Sequence, residues 1–430
     1  MMKILLTFMV VCMLPRLALS QQPDFNKFSD SFVTGYQLLH IPDLELSYVD
    51  GLKHIGTAKE IDKQVSFFSN IKSGLNVYQV NKLTHSQQQD YLQIAYETDL
   101  NLNRLTLEKQ WLADKPDSIP SNGIFTVPNG KAWYKYLLKK WLSADVSPDQ
   151  IYKFGLSEVK GVKAHIQELR KATGLSEDFF YRHLNDPQFF TADTVLVQHL
   201  FEQARDTVYH NLHKVFNAHT ILPLTIKRGA DAALAQTPGY YDNNTFYYNL
   251  FGKPYNTRQV GWLFIHEGVP GHHYQASVYA EQQHSKVQQL FFYMCYAEGW
   301  AAYTEKLGKV LGVYKTPYDE LGECEWDIVR AVRVPMDVGL NYYGWTNAQA
   351  LAFWRQNIHN HDDIALREIA RVKRWPVQAI TYNYGAAQIS GWKQELMKKQ
   401  GRSFDIKKFH DRILENGPLP LFMVRQSVME

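Results

Sequence analysis

Residues 266–273 read HEGVPGHH, and how that stretch is read decides the fold. In an HExxH helix the two histidines stand one turn apart, an axial rise of about 6 Å, so both rings lean to the same side and reach one metal at roughly 2.1 Å. Here Pro270 stands where the second histidine of that spacing is due, and the next histidines are His272 and His273. On a straight helix those two lie about 9 and 10.5 Å along the axis from His266, too far to share an ion with it. Pro270 changes the estimate. It lacks the N–H that would bond the carbonyl of His266, and its ring collides with that carbonyl, so the helix has to kink or loop within the motif. Gly268 and Gly271 flank it and supply the backbone freedom that a bulge requires. Such a bulge returns a distant histidine to the neighbourhood of His266. The alternative use of a histidine pair after Pro-Gly is to cap a helix.

A third candidate ligand lies downstream. The segment CYAEGWAAYTEKL, residues 295–307, places Glu298 twenty-six residues after His272 on another helix. Its neighbours Ala297, Trp300 and Ala301 mark a buried face, where an unpaired charge is costly. The usual fate of a glutamate is a solvated helix surface, and that reading stays open at this point.

The bulk composition is compatible with a large core. The chain has 430 residues, 45% apolar and 14% aromatic, enough for one large globular body or two lobes, and this composition argues against disorder. Residues 1–20, MMKILLTFMVVCMLPRLALS, combine an early lysine, an apolar run and small residues at Ala18 and Ser20, the pattern of a secretory signal peptide cleaved before Gln21. The run is broken by Pro15 and Arg16 and is shorter than the roughly 20 residues of a membrane span. The mature protein is therefore expected to be soluble, periplasmic or secreted, and not a membrane protein. Removing the segment takes away Lys3 and Arg16 and no acid, so the formal charge drops from +3 to +1. A near-neutral chain gives no reason to expect nucleic acid as a partner. Cys12 leaves with the signal; Cys295 and Cys324 remain, too few for a disulfide framework or a cysteine-rich zinc site but enough for one bond.

The secondary-structure signals are mostly helical. Apolar residues recur at three and four in FNKFSDSFVTGYQLL (25–39) and YLQIAYETDLNLNRLTL (91–107), predicting an antiparallel helical lobe over residues 21–121. Residues 112–130 gather prolines, glycines and small polar side chains and read as a loop or lobe boundary. Ser147, Pro148 and Gln150 carry a helix-start signature, and Gly174 is a stop. Residues 222–251 change character, interleaving Pro223, Gly229, Pro238 and the Asn243-Asn244 pair with TFYYNLF, which predicts one or two short strands just before the motif helix. After Asn256 and Thr257 the chain is helical almost to its end, with a capping box at Thr346 and Gln349. The fold class is mostly α with a small β element, and residues 122–430 form the region that carries the site.

Four separated blocks, HEGVPGHHYQ, EGWAAYTEKLG, RVPMDVGLNYYGW and WPVQAITYNYGAAQI, together resemble the bacterial "domain of unknown function 885" family, which is placed among the gluzincin-type zinc metallopeptidases. The resemblance in order and spacing runs over residues 240–392, and the chain is shorter than typical members around residues 109–122. It implies a multi-helix, two-lobed, metallopeptidase-like fold. Related peptidases read HExGH, with glycine before the ligand, and Gly271-His272 preserves that pair when two residues are inserted ahead of it. The resemblance thus implies His266, His272 and Glu298 as ligands of Zn2+, with His273 in reserve, and Glu267 as the general base. It points to Tyr382 as donor to the developing oxyanion, with Tyr384 second. Arg333 and Arg330, one turn apart on one helix face, are the candidates for holding a substrate carboxylate; an ion pair between Arg333 and Asp337 is the structural alternative.

The expected activity is hydrolysis of peptide bonds, most readily in short peptides, by attack of water at a His2Glu zinc site that keeps a fourth position free. Two other readings compete: a non-catalytic peptide-binding protein on the same fold, and a zinc hydrolase of another amide or an ester. The chain has no GxSxG elbow, GxxxxGK[ST] phosphate loop, GxGxxG or CxxC.

Overall fold

The structure is a computed structural model, and it describes residues 23–41, 51–114, 118, 123–235, 237–359 and 362–430. The expected signal segment lies outside these residues, as do residues 115–117 and 119–122 of the 112–130 boundary.

The chain is mostly helical with a small amount of strand. Helices α1 (Phe25–Gln37), α2 (Ala58–Leu75) and α3 (His85–Asp114) come first, then α4 (Gly130–Leu142), α5 (Pro148–Thr173) and α6 (Glu177–His183). Strand β1 (Phe190–Thr191) and helix α7 (Thr194–Asn211) lead to β2 (Thr225–Arg228), β3 (Gly239–Asp242), β4 (Thr245–Tyr248) and β5 (Tyr255–Asn256). Helices α8 (Val260–Glu267), α9 (His272–Glu281), α10 (Met294–Glu305) and α11 (Pro317–Val338) carry the motif region. Helices α12 (Asn347–Asn357), α13 (Asp362–Arg374), α14 (Thr381–Gln400), α15 (Ile406–Leu414) and α16 (Leu421–Met429) complete the chain.

Helix ends follow their local chemistry. Ser147 and Gln150 form a reciprocal capping box at the start of α5, Pro148 occupies its first turn, and Gly174 ends it in a left-handed conformation at φ 73°. Thr346 and Gln349 repeat the box at α12. The β element is larger than the pattern suggests. A three-stranded sheet runs in the order β2-β4-β3, with β2 parallel and β3 antiparallel to β4, and β1 pairs with β5 in a separate ribbon. Strand β2 is TIKR, with Ile226 alone buried, so its four residues hold too little alternation to be recognised.

Three packing relations position the site. Helices α1 and α2 gather with part of α3 around their own apolar cluster, which includes Phe32, Phe68, Ile94 and Leu105. The buried face of α3 is largely polar, with Gln89, Gln93, Glu97, Asn101 and Glu108 recurring at helical spacing. Through that face it holds the start of α10, because Tyr293, the residue before α10, donates to Glu97 (2.9 Å) and accepts from Gln93 (3.1 Å). Helix α5 lies against α11 at Gly155, where a Cβ would fall 2.6 Å from Pro335 Cδ. Helices α10 and α14 meet at two glycines: a Cβ on Gly299 would lie 2.5 Å from Gly385 Cα. Only paired glycines let two backbones approach this closely, and the contact brings Tyr382, one turn before Gly385, against the helix bearing Glu298.

Candidate metal centre

The motif helix does not kink; it stops and restarts. Helix α8 ends at Glu267, and the Gly268 N–H closes its last turn onto the Phe264 carbonyl at 2.8 Å. The chain then turns through Val269 and Pro270, joined by a cis peptide, to Gly271, and α9 begins at His272. The Gly268 carbonyl accepts from the N–H groups of His273 (3.1 Å) and Tyr274 (3.3 Å), and Trp300 Nε1 donates to the Pro270 carbonyl at 2.8 Å. Gly271 lies so close beneath the end of α8 that a Cβ there would fall 1.9 Å from the His266 carbonyl oxygen.

This fold-back brings His266, His272 and Glu298 together, with their candidate donor atoms all within 4.8 Å of one another. Glu298 Oε2 lies 3.5 Å from His266 Nε2 and 3.4 Å from His272 Nε2, and the two rings stand nearly perpendicular at 4.9 Å. The same oxygen is buried and has no hydrogen bond among the described residues. Donors held at about 2.0–2.1 Å around a tetrahedral zinc stand about 3.4 Å from each other, and both histidine-to-Glu298 edges match that spacing.

The surroundings fit a cation as well. His266 Nδ1 donates to Glu305 Oε1 at 2.6 Å, which turns Nε2 towards Glu298. Glu305 accepts twice from Arg330 Nη1 (2.6 and 2.7 Å), and that guanidinium lies between the faces of Trp262 (5.4 Å) and Tyr382 (5.3 Å). The charges of the cluster act on one another. Burial pulls the His266 imidazole down, but Glu298 and Glu305 push it up to about 9. Burial likewise raises Glu298, yet the two imidazoles hold it well below the usual carboxylate range. Glu298 therefore stays a carboxylate between the two imidazoles, the charge state in which it could hold a cation.

Glu267 follows His266 directly, is buried, and has no hydrogen-bond partner among the described residues. Burial raises its carboxyl above the ordinary value; His266 and His272 oppose the shift and Glu298 reinforces it. His273 stands apart from the donor set. Its Nε2 donates to the Leu222 carbonyl (2.8 Å) and its Nδ1 accepts from the Tyr241 hydroxyl (3.2 Å), so both ring nitrogens serve to tie α9 to the strand region.

Tyr382 stacks beside His266 at 6.3 Å, and its hydroxyl accepts from Gln378 Nε2 at 3.4 Å. Burial and Glu298 raise its phenol, while Arg371 and Arg330 oppose them. Tyr384 faces elsewhere, edge-on to Phe154 at 5.8 Å within the main core. Neither sequence-chosen arginine is left for a substrate. Arg330 is committed to Glu305, and Arg333 donates through Nε to Glu368 at 2.7 Å. Both are buried, and Arg333 does not pair with Asp337. Glu305 is the site residue that pattern reading passed over; it stands seven residues after Glu298, two turns along the same helix face. Cys295 and Cys324 are both buried free thiols, with no bond between them.

Asp337 belongs to a separate structural network. It accepts from the Tyr134 hydroxyl (2.8 Å) and from the N–H of Val377 (2.9 Å), a residue held at φ 73°. Burial raises its carboxyl to about 7. The folded chain thus binds this proton more tightly than the unfolded chain, and the residue's contribution to stability falls as pH rises from about 4 to about 7. Asp337→Asn mimics the protonated acid, so between pH 5 and pH 8 the parent is expected to lose about 2 kcal/mol relative to this variant in urea unfolding. A difference that stays constant with pH would count against the buried protonated acid.

Comparison with known proteins places the chain. Residues 57–428 match the family described as "Bacterial protein of unknown function (DUF885)". No curated protein matches. Among solved structures, "the putative lipoprotein from Colwellia psychrerythraea" superposes with a TM-score of 0.67 at 23% identity, over 89% of this chain and 68% of that one. "A putative lipoprotein of unknown function from Shewanella oneidensis" gives 0.71 at 17% identity, over 95% of this chain and all of that one. At these identities the likeness is one of fold.

Proposed function

The chain belongs to the DUF885 family of bacterial proteins of unknown function, so its chemistry has to be read from the site, and we propose that it is a zinc-dependent metallopeptidase of the gluzincin type. The observation that carries this reading is the convergence of His266, His272 and Glu298 at tetrahedral spacing, with Glu267 beside them and outside the donor set. Zinc held there would supply a Lewis acid for the scissile carbonyl and would lower the pKa of water at its open position.

The chain's own residues do the rest. Glu267 takes the proton from the attacking water and hands it to the leaving amine. Tyr382, whose phenol keeps its proton, donates to the oxyanion as the carbonyl becomes tetrahedral. Glu305 and Arg330 hold the His266 ring in the tautomer and orientation that the donor set requires. Work outside the cytoplasm is supported by the signal-like residues 1–20 and by fold relatives described as lipoproteins. No described helix is long and apolar enough to cross a membrane.

The test is metal content together with turnover. Protein purified without chelator is expected to carry about one zinc per chain and to hydrolyse a pool of short peptides. Chelation should stop hydrolysis and added zinc restore it. Folded protein that binds no zinc, or hydrolysis indifferent to chelator, would sink the reading.

A further inference from the structure

With Arg330 and Arg333 in contact with carboxylates of their own, one guanidinium beside the site touches no acid among the described residues and only shares the field of Glu368 with Arg333 and Arg367. Arg371, in the last turn of α13, is half-buried, and its only hydrogen-bond partner among the described residues is the neutral Gln378, through Nη2 to Oε1 at 3.1 Å. Its Nε is buried with no acceptor among the described residues. The nearest acid along α13, Glu368, is already engaged by Arg333 and by Arg367, whose Nη2 lies 2.7 Å from it. The local excess of positive charge also shows on Arg333, which burial and Arg371 together pull down to about 10 despite Glu368. A half-buried guanidinium that shares one carboxylate with two other arginines and keeps an orphaned N–H is suited to take a further anion.

The position of Arg371 links it to the metal centre. Gln378 accepts from Arg371 and donates to the Tyr382 hydroxyl at 3.4 Å, and Tyr382 in turn stacks on the candidate ligand His266. One amide thus orients both the oxyanion donor and the guanidinium. The face of Arg371 lies over Trp375 at 5.3 Å, which fixes the plane of the fork.

We propose that Arg371 receives the C-terminal carboxylate of the substrate, so that the site acts close to the free C-terminus of short peptides. This rests on the peptidase reading and narrows it to a substrate class.

Two measurements on zinc-loaded protein test it and separate its failure from that of the peptidase reading. In the first, binding of a tripeptide pool with free C-termini is compared with binding of the same pool amidated, in a Glu267→Gln background. The free acids are expected to bind roughly ten- to a hundredfold more tightly, the range of a hydrogen-bonded charge pair. Adding Arg371→Gln should remove that preference while zinc content and amide binding stay as they were, and Arg371→Lys should restore part of it. Equal binding of acids and amides, binding of neither, or a preference that survives Arg371→Gln overturns the assignment. In the second, the parent digests both pools. Equal rates on acids and amides overturn the carboxylate role and leave the peptidase standing. Acid-selective, Arg371-dependent binding with no hydrolysis of either pool supports the receptor and sinks the peptidase.

Discussion

Zinc-loaded Glu267→Gln protein is expected to lose hydrolysis by roughly a thousandfold while keeping about one zinc per chain. Glutamine has the shape of glutamate but cannot take up a proton at neutral pH, so the substitution removes the base and little else. Glu267 lies outside the His266, His272 and Glu298 donor set, so metal content should not follow activity down. A second readout comes from its surroundings. The carboxyl is buried, raised by that burial, and without a hydrogen-bond partner among the described residues. A group held in that state costs stability, as functional groups in clefts commonly do. In metal-free protein the variant is therefore expected to unfold at a higher urea concentration than the parent. Hydrolysis within about tenfold of the parent would transfer the base role to another group, and loss of zinc would make Glu267 a ligand.

How much of this site could be read from residue order depended on whether the deciding contact was local. The histidines, the two glycines and Pro270 lie within eight residues, and the physics of proline in a helix is enough to expect the chain to fold back there. The choice between His272 and His273 is not local. Consecutive residues on a helix differ by about 100° in direction, so the answer depends on where α9 restarts and on what waits on its other side. Leu222 and Tyr241, fifty-one and thirty-two residues away, take both nitrogens of His273 and leave His272 to face Glu298.

The arginines illustrate the same limit. Arg330 and Arg333 are legible as two cations on one helix face, which suits a substrate carboxylate until their partners are known. Those partners, Glu305 and Glu368, come from helices twenty-five residues before and thirty-five residues after them, and tertiary packing alone brings them in. Arg371 sits in a helix end rich in basic residues, Arg371, Lys373 and Arg374, where a cation ordinarily serves the helix dipole. That it touches no acid of its own becomes visible only once every neighbouring carboxylate has been assigned. The α10–α14 crossing was half legible: Gly299 and Gly385 stand in two of the four recognised blocks, but that they touch each other is a property of the fold.

Gly271→Ala is expected to abolish zinc binding almost as completely as removal of a ligand would. The added Cβ would stand 1.9 Å from the His266 carbonyl oxygen and 2.3 Å from that of Ile265. Both obstacles are backbone atoms at the end of α8, so neither can swing aside as a flexible side chain would. Relief requires α8 and α9 to separate by about an ångström or more, and the separation falls between His266 and His272, the two donors that this turn exists to bring together. A ligand sphere with bonds of about 2.1 Å does not tolerate that displacement. Outer-shell losses at metal sites cost about 10–100-fold in affinity, and moving a ligand itself should exceed that range. The control is Gly261→Ala, five residues before His266 on α8, where the new methyl would meet the Val313 side chain at 3.3 Å. That variant should keep its zinc. Both are compared by zinc titration, with circular dichroism to show that each remains helical. Gly271→Ala protein that binds zinc as the parent does would mean that the close approach beneath α8 is not what holds His272 in place, and that the donor set owes its geometry to the α10 side, where Trp300 grips the Pro270 carbonyl.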